Sequence, residues 1–363
     1  MRLKIIVQNG VLVTVSIVIA VVFGEICLRW FIPIYDYSDR CLLFSSPAFK
    51  LYSGGSVRYF PKVQIREVAV YADKIEYDVN YRTNNIGFID SKDYIYESVP
   101  DKRYYAFVGD SFTAGVNGGT PWVPGLRANK INAEVYNFGV AGTGFEHFYR
   151  VLHDMKGRVA VTNIVLVVIT DDFYRAYWHP FIMNDTISFC NESGDHKLCQ
   201  PVPIASIIPY AASVADIREI SRKKYKEIRA RIRELNSSNN FRSKLDSFLE
   251  ESSIYFYSKV AYDRYKRQSA SGDISDAAAW IRKIKDDYPS VSIQLIHLPQ
   301  KYEVNTKKYY INIAEQVTAQ GVNYFPALEK CNWSMDMFYT RDGHPNQRGY
   351  DNISKCVAGY LFE

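Results

Sequence analysis

A three-layer α/β/α fold, in which helices cover both faces of a parallel sheet, is predicted by three features of this chain. Short apolar runs at 104–108, 133–137, 163–169 and 291–297 alternate with stretches of helical character. Two of them, 164–169 and 293–297, are continuously apolar or β-branched, as strands buried on both faces must be. The chemically loaded segments begin where an apolar run stops, and open parallel sheets bind their ligands at the carboxyl ends of their strands.

Taken in order, the chain opens on an apolar stretch from Ile5 to Gly24, interrupted only by Gln8, Asn9, Gly10, Thr14 and Ser16. At about 1.5 Å per residue this is long enough to cross a bilayer core of roughly 30 Å. No convincing small-x-small site closes it, and Gly24-Glu25-Ile26-Cys27 makes a poor lipoprotein signal. Residues 1–25 are therefore expected to be a retained single-pass anchor, with a cleaved secretory signal as the competing reading. Arg2 and Lys4 precede the span, so the positive-inside rule keeps the short N-terminus cytoplasmic and everything after residue 25 extracytoplasmic, either periplasmic or on the cell surface.

Residues 26–100 read as a Tyr-rich connector and lead-in, with alternation at Val68-Ala69-Val70-Tyr71 and Tyr77-Asp78-Val79 marking short strands. The main domain is expected over 101–363, ending in a helix from Gln347 to Leu361. Residues 205–285 interrupt it as a helical insertion or lid, in which Ile217, Ile220, Ile228, Ile232 and Leu235 recur at helical spacing. The basic residues between them, among them Arg222, Lys223, Lys226 and Arg229, form either a solvated face or a surface for anionic glycan or lipid head groups. Tyr255, Phe256, Tyr257, Tyr262 and Tyr265 are either core residues or aromatics that stack on sugars.

Composition narrows the function. At 47% hydrophobic and 15% aromatic, the 363 residues are not those of a disordered chain. A net charge of +5 and the lack of a basic recognition motif argue against a nucleic-acid partner. None of the six cysteines forms a Cys-x-x-Cys motif, so disulfides in an oxidising compartment are expected rather than a metal site. Cys190 and Cys199 bracket a short polar loop; Cys331 and Cys356 flank the segment 338–346. Cys41 is expected either to stay reduced or to bond Cys27.

The run Arg103-Tyr104-Tyr105-Ala106-Phe107-Val108-Gly109-Asp110-Ser111-Phe112-Thr113-Ala114-Gly115 ends a strand at a serine bracketed by turn formers. A serine hydroxyl needs a histidine to take its proton and a carboxylate to orient that histidine. Both occur in Phe338-Tyr339-Thr340-Arg341-Asp342-Gly343-His344-Pro345-Asn346. His297, at the end of another strand, reads as structural.

Together these segments resemble the SGNH (GDSL-type) hydrolases, with Ser111, Asp342 and His344 in the positions of the family's nucleophile and its Asp/His pair. Tyr136-Asn137-Phe138-Gly139-Val140-Ala141-Gly142-Thr143-Gly144 resembles the second family block, Gly142 standing where a backbone N–H lines the oxyanion hole. Ile164-Val165-Leu166-Val167-Val168-Ile169-Thr170-Asp171-Asp172-Phe173 resembles the third, with Asp171 where most members carry the oxyanion Asn. An ionised carboxylate only accepts hydrogen bonds, so Asp171 is expected either to be protonated or to turn away, leaving the Ser111 and Gly142 amides. Tyr81-Arg82-Thr83-Asn84-Asn85-Ile86-Gly87-Phe88 resembles the Thr-Asn-x-x-Gly-Phe segment of membrane-anchored members. The spacing of Asp342 and His344 resembles that of the alginate O-acetylation proteins and related cell-surface acyl-transfer members.

The resemblance implies a flavodoxin-like α/β fold, no metal or other cofactor, and Ser-His-Asp catalysis. It implies hydrolysis or transfer of acyl, above all acetyl, esters on extracytoplasmic glycans, with envelope polysaccharide machinery as a possible partner. A glycan-binding or assembly component with weakened catalysis is the alternative reading, and a lipase or thioesterase a lesser one.

Overall fold

The computed structural model describes residues 2–31, 40–71, 74–129, 132–176, 178–183, 186–191, 200–203, 207–236, 252–255, 258, 262 and 274–362. These residues belong to two compact units, one of 1–40 with 221–270 and one of 41–220 with 271–363.

In the first unit, helix α1 (Arg2–Phe31) contains one span, Val11–Trp30, with a mean hydropathy of 2.7 and no fully buried residue. It is long and apolar enough to cross a membrane, as an anchor or as a signal sequence. Glu25, near its end, accepts from the amides of Ser253 at 2.8 Å and Ile254 at 3.0 Å and from Arg29 Nε at 2.7 Å. Cys27 is a free thiol.

The second unit is built on five parallel strands: β6 (Arg103–Gly109), β7 (Ala133–Gly139), β8 (Asn163–Val168), β12 (Ser292–His297) and β13 (Asn323–Pro326). Their order is β13-β12-β8-β6-β7, which is the flavodoxin-like 2-1-3-4-5 arrangement expected from the sequence. Val108 sits opposite Phe138 on one side and Leu166 on the other. The chain direction of the crossovers reverses between β6 and β8, and the crevice at that point lies above the ends of both strands.

Because side chains alternate across a strand, each strand feeds two cores. On one face Ala106, Val108, Ile164, Leu166, Phe138 and Leu295 meet α4 (Phe145–Met155) through Phe148, Val151 and Leu152, and α7 (Ser275–Asp287) through Ile281 and Ile284. On the other, Tyr105, Phe107, Val165, Val167 and Ile296 meet Trp122 of the short helix α3 (Trp122–Gly125) and Tyr350, Ile353 and Val357 of α11 (Gln347–Phe362). Truncating a fully buried ring such as Phe148 in this layer costs about 3–5 kcal/mol. The disulfide Cys331–Cys356 ties α11 to the end of α10 (Ala327–Lys330). Of the expected pair Cys190 and Cys199, the second lies outside the described residues.

Ahead of the sheet, β1 (Arg40–Phe44), the hairpin of β2 (Phe49–Leu51) and β3 (Val57–Tyr59), and the longer hairpin of β4 (Gln64–Tyr71) and β5 (Lys74–Arg82) belong to the same unit. The Thr-Asn-x-x-Gly-Phe segment is a turn in which Asn84 Oδ1 accepts from the amides of Ile86 and Phe88. A second antiparallel sheet, unannounced by the sequence, joins β9 (Trp178–Met183), β10 (Thr186–Asn191) and β11 (Gln200–Pro203). Of the expected helical insertion, α6 (Val214–Asn236) is described; its first turns, through Ile217 and Ile220, pack on Leu43, Val68 and Val70. Phe256, Tyr257 and Tyr265 of that insertion lie outside the described residues.

Candidate active site

Strand β6 stops at Gly109 because the chain must turn sharply there. A Cβ on Gly109 would come within 2.0 Å of Thr113 Oγ1 and 2.2 Å of the Val167 carbonyl oxygen. Asp110 then caps the single-turn helix α2 (Ser111–Ala114), its carboxylate accepting from the Phe112 amide at 2.9 Å. Ser111 is the first residue of that turn and is 9% exposed.

The loop 339–345 brings the other two groups to the serine. Ser111 Oγ lies 2.8 Å from His344 Nε2, and His344 Nδ1 is hydrogen-bonded to Asp342 Oδ1. The Phe112 ring lies against the imidazole at a centroid distance of 5.2 Å. An imidazole held this way can accept the serine proton through Nε2, while the carboxylate keeps its other proton on Nδ1. All three residues are buried.

Several residues that sequence alone did not single out hold these groups. Tyr71 donates to Asp342 Oδ2 at 2.9 Å, and Glu76 Oε1 accepts from the Arg341 amide at 2.8 Å. Lys301 Nζ donates to the carbonyls of Tyr339 at 2.8 Å and Thr340 at 2.6 Å, and burial lowers the pKa of its ammonium. Arg175 Nη2 bridges Asp110 at 3.2 Å and Asp172 at 2.7 Å, tying the turn after β6 to the turn after β8. Burial pushes both carboxyls above their usual range, and each raises the demand on the one guanidinium between them. The contacts of Tyr71 and Lys301 cross 271 and 38 residues of chain, and no local pattern announces them.

The two expected oxyanion positions are placed differently. Gly142 lies in the turn after β7 with φ +74°, a left-handed conformation; Gly139 instead needs its missing Cβ, which would come within 2.1 Å of the Ala114 amide nitrogen. Asp171, at the start of α5 (Thr170–Tyr174), accepts from Gln300 Nε2 at 3.0 Å, and Tyr302 donates to Gln300 Oε1 at 2.5 Å. Its neighbour Thr170 belongs to a buried network beneath the site. Thr170 Oγ1 is 3.1 Å from His297 Nε2 and 2.5 Å from Glu303 Oε1, and His297 Nδ1 is 3.0 Å from the Tyr324 hydroxyl. Burial raises Glu303 from 4.5 to about 7 and lowers His297 from 6.5 to about 3. His297 is thus a fully buried structural group, as its sequence context suggested.

The family model for GDSL-like lipase/acylhydrolases matches residues 105–357, which include Ser111, Gly142, Asp171, Asp342 and His344. No curated protein sequence matches the chain at significance. Among solved structures, a protein of Lactobacillus plantarum is similar over 73% of this chain and 98% of its own, with 11% identity and a TM-score of 0.36. A lipase/acylhydrolase of Enterococcus faecalis is similar over 71% and 95%, with 11% identity and a TM-score of 0.31. A family two carbohydrate esterase of Cellvibrio japonicus is similar over 89% and 97%, with 12% identity and a TM-score of 0.29. The long family match, over a parallel sheet of the expected order that carries the serine block at its crevice, means that this chain belongs to the GDSL-like lipase/acylhydrolase family of ester-hydrolysing enzymes.

Proposed function

We propose that the protein is a membrane-anchored serine esterase or O-acyltransferase that acts on acyl esters, chiefly acetyl esters, of extracytoplasmic glycans. The observation that carries this reading is the hydrogen-bonded chain from Ser111 Oγ through His344 to Asp342. Ser111 attacks the ester carbonyl as His344 takes its proton, and the same imidazolium then protonates the departing alcohol. Asp342 stays ionised, orients the ring and stabilises its charged form. The amides of Ser111 and Gly142 receive the oxyanion. Water resolves the acyl-serine in hydrolysis; a sugar hydroxyl does so in transfer.

The glycan assignment rests on the resemblance of the Asp342/His344 spacing to cell-surface acyl-transfer proteins and on the expected topology. In that topology residues 1–25 anchor the chain, 26–100 lead in, and 101–363 form the catalytic domain outside the membrane, carrying a helical insertion at about 205–285. A second reading, a glycan-binding component with little turnover, is favoured by the carboxylate of Asp171 at the position of the family Asn.

The test is hydrolysis of a small activated acetyl ester together with fluorophosphonate labelling. Ser111→Ala and His344→Ala should each lower turnover by about 10³-fold or more with the fold intact, and Asp342→Asn by about 10²–10⁴-fold. Absence of any Ser111-dependent labelling in the wild type would overturn the enzymatic reading in favour of the binding component.

A further inference from the structure

We propose that Tyr71, which precedes the matched family region, is a positioning residue of this active site: its phenol O–H holds the outer oxygen of Asp342 and thereby sets the orientation in which Asp342 receives the Nδ1 proton of His344. The inference rests on the roles given above to Ser111, His344 and Asp342.

Asp342 uses one oxygen on His344 Nδ1, and its other oxygen takes the Tyr71 hydroxyl at 2.9 Å. Both residues are buried, Tyr71 at 1% and Asp342 at 5% exposure, so bulk water does not replace either partner freely. The outer torsion of an aspartate is soft, and a carboxylate held at one oxygen alone can rotate. A second donor from a different element removes that freedom and disperses part of the negative charge.

The partner strand of the same hairpin, β5, braces the same loop at two further points. Ala69 pairs with Tyr77 and Val70 with Ile75, so the register skips Glu76, which is left without a partner in β4. A bulge of this kind re-aims a side chain. Glu76 instead accepts from the Arg341 amide at 2.8 Å, and its other oxygen lies 3.7 Å from Arg341 Nη1. Next to it the Tyr77 ring lies against Tyr339 at a centroid distance of 5.2 Å. Three loop contacts from one hairpin, one of them on the carboxylate itself, make β4–β5 part of the catalytic apparatus rather than a spacer ahead of the sheet.

The experiment uses the full-length protein in detergent and two readouts. By proton NMR, the strongly hydrogen-bonded His344 Nδ1–H should give a downfield resonance that Asp342→Asn abolishes and Tyr71→Phe displaces or broadens. Tyr81→Phe, which removes a hydroxyl of the same hairpin that donates to Glu67 at 2.8 Å, should leave the resonance in place. In turnover of the activated acetyl ester, Tyr71→Phe should lower kcat about tenfold, the scale of one charge-assisted hydrogen bond, with KM little changed. In an Asp342→Asn background it should cost nothing more. An unchanged resonance, an equal change in Tyr81→Phe, or fully additive losses would each overturn the proposal. A wild type that shows the expected resonance behaviour but no Ser111-dependent turnover would leave Tyr71 as the holder of Asp342 and remove the enzymatic reading instead.

Discussion

Asp171 is the residue whose chemistry most directly separates this chain from the usual family pattern. Its carboxylate already has a partner in Gln300 Nε2 at 3.0 Å, and that amide is fixed in turn by the Tyr302 hydroxyl. An asparagine at 171 could keep the acceptor contact through its carbonyl oxygen and present two N–H donors at nearly constant volume. Asp171→Asn should therefore hold or raise the rate of acetyl-ester hydrolysis near neutral pH. If the position serves the oxyanion, the gain should approach the 10²–10³ range of a single donor and appear in kcat. Abolished turnover would mean that Asp171 works as a carboxylate, and the oxyanion assignment at 171 would fall.

At the scale of elements, the site depends on loops that are pinned from below and behind. Beneath it, Thr170 of α5, His297 of β12 and Glu303 of α8 (Lys301–Thr306) form one buried network with opposite titration habits. Glu303 holds its proton from 4.5 up to about 7, so its contribution is present below pH 4.5 and is lost as pH rises through 7. His297 refuses its proton from 6.5 down to about 3, so stability is lost as pH falls below 6.5. Between pH 5 and 6.5 the two slopes oppose each other. Glu303→Gln deletes one of them, and its unfolding free energy should therefore climb with pH relative to wild type by about 1.4 kcal/mol per pH unit in that window. Denaturant melts at several pH values read this directly, and parallel curves would refute it. Behind the site, Cys331–Cys356 closes a loop of 25 residues that contains Asp342 and His344. Replacing both cysteines by serine should cost about 3–4 kcal/mol of stability and, because the catalytic loop is loosened, lower kcat more than it raises KM.

At the scale of the whole molecule, α1 and the sheet domain differ in how their apolar residues are covered. The span Val11–Trp30 has no fully buried residue, whereas Ala106, Phe107 and Val108 of β6 and Ile164 to Leu166 of β8 are fully enclosed. If the chain is a retained anchor with the sheet domain outside, protease added from the non-cytoplasmic side should reach residues 30–363 while α1 stays in the membrane. Recovery of a soluble form that starts near residue 25 would identify α1 as a cleaved signal.

The sheet, its helices and Ser111, Asp342 and His344 as a candidate set were legible because each rests on local pattern. Apolar runs such as 164–169 have one low-energy use in water, which is burial on both faces, and Gly-Asp-Ser after such a run places the serine at the crevice. The disulfide across the Asp342/His344 loop followed from the spacing of Cys331 and Cys356. β13 escaped because Asn323–Pro326 is too short to show a period, and the sheet of β9 to β11 because its pairing is antiparallel and distant from any motif. Tyr71, Glu76, Lys301, Arg175 and Gln300 carry no signature of their own. Their partners lie on other elements, so which aromatic or charge reaches the catalytic loop was decided only when the hairpin, the sheet and the loop packed together. Residue type and order select the chemistry because the serine turn and the Asp342/His344 pair are each local, whereas the meeting of Ser111 with His344 across 233 residues and the orientation of Asp342 are three-dimensional.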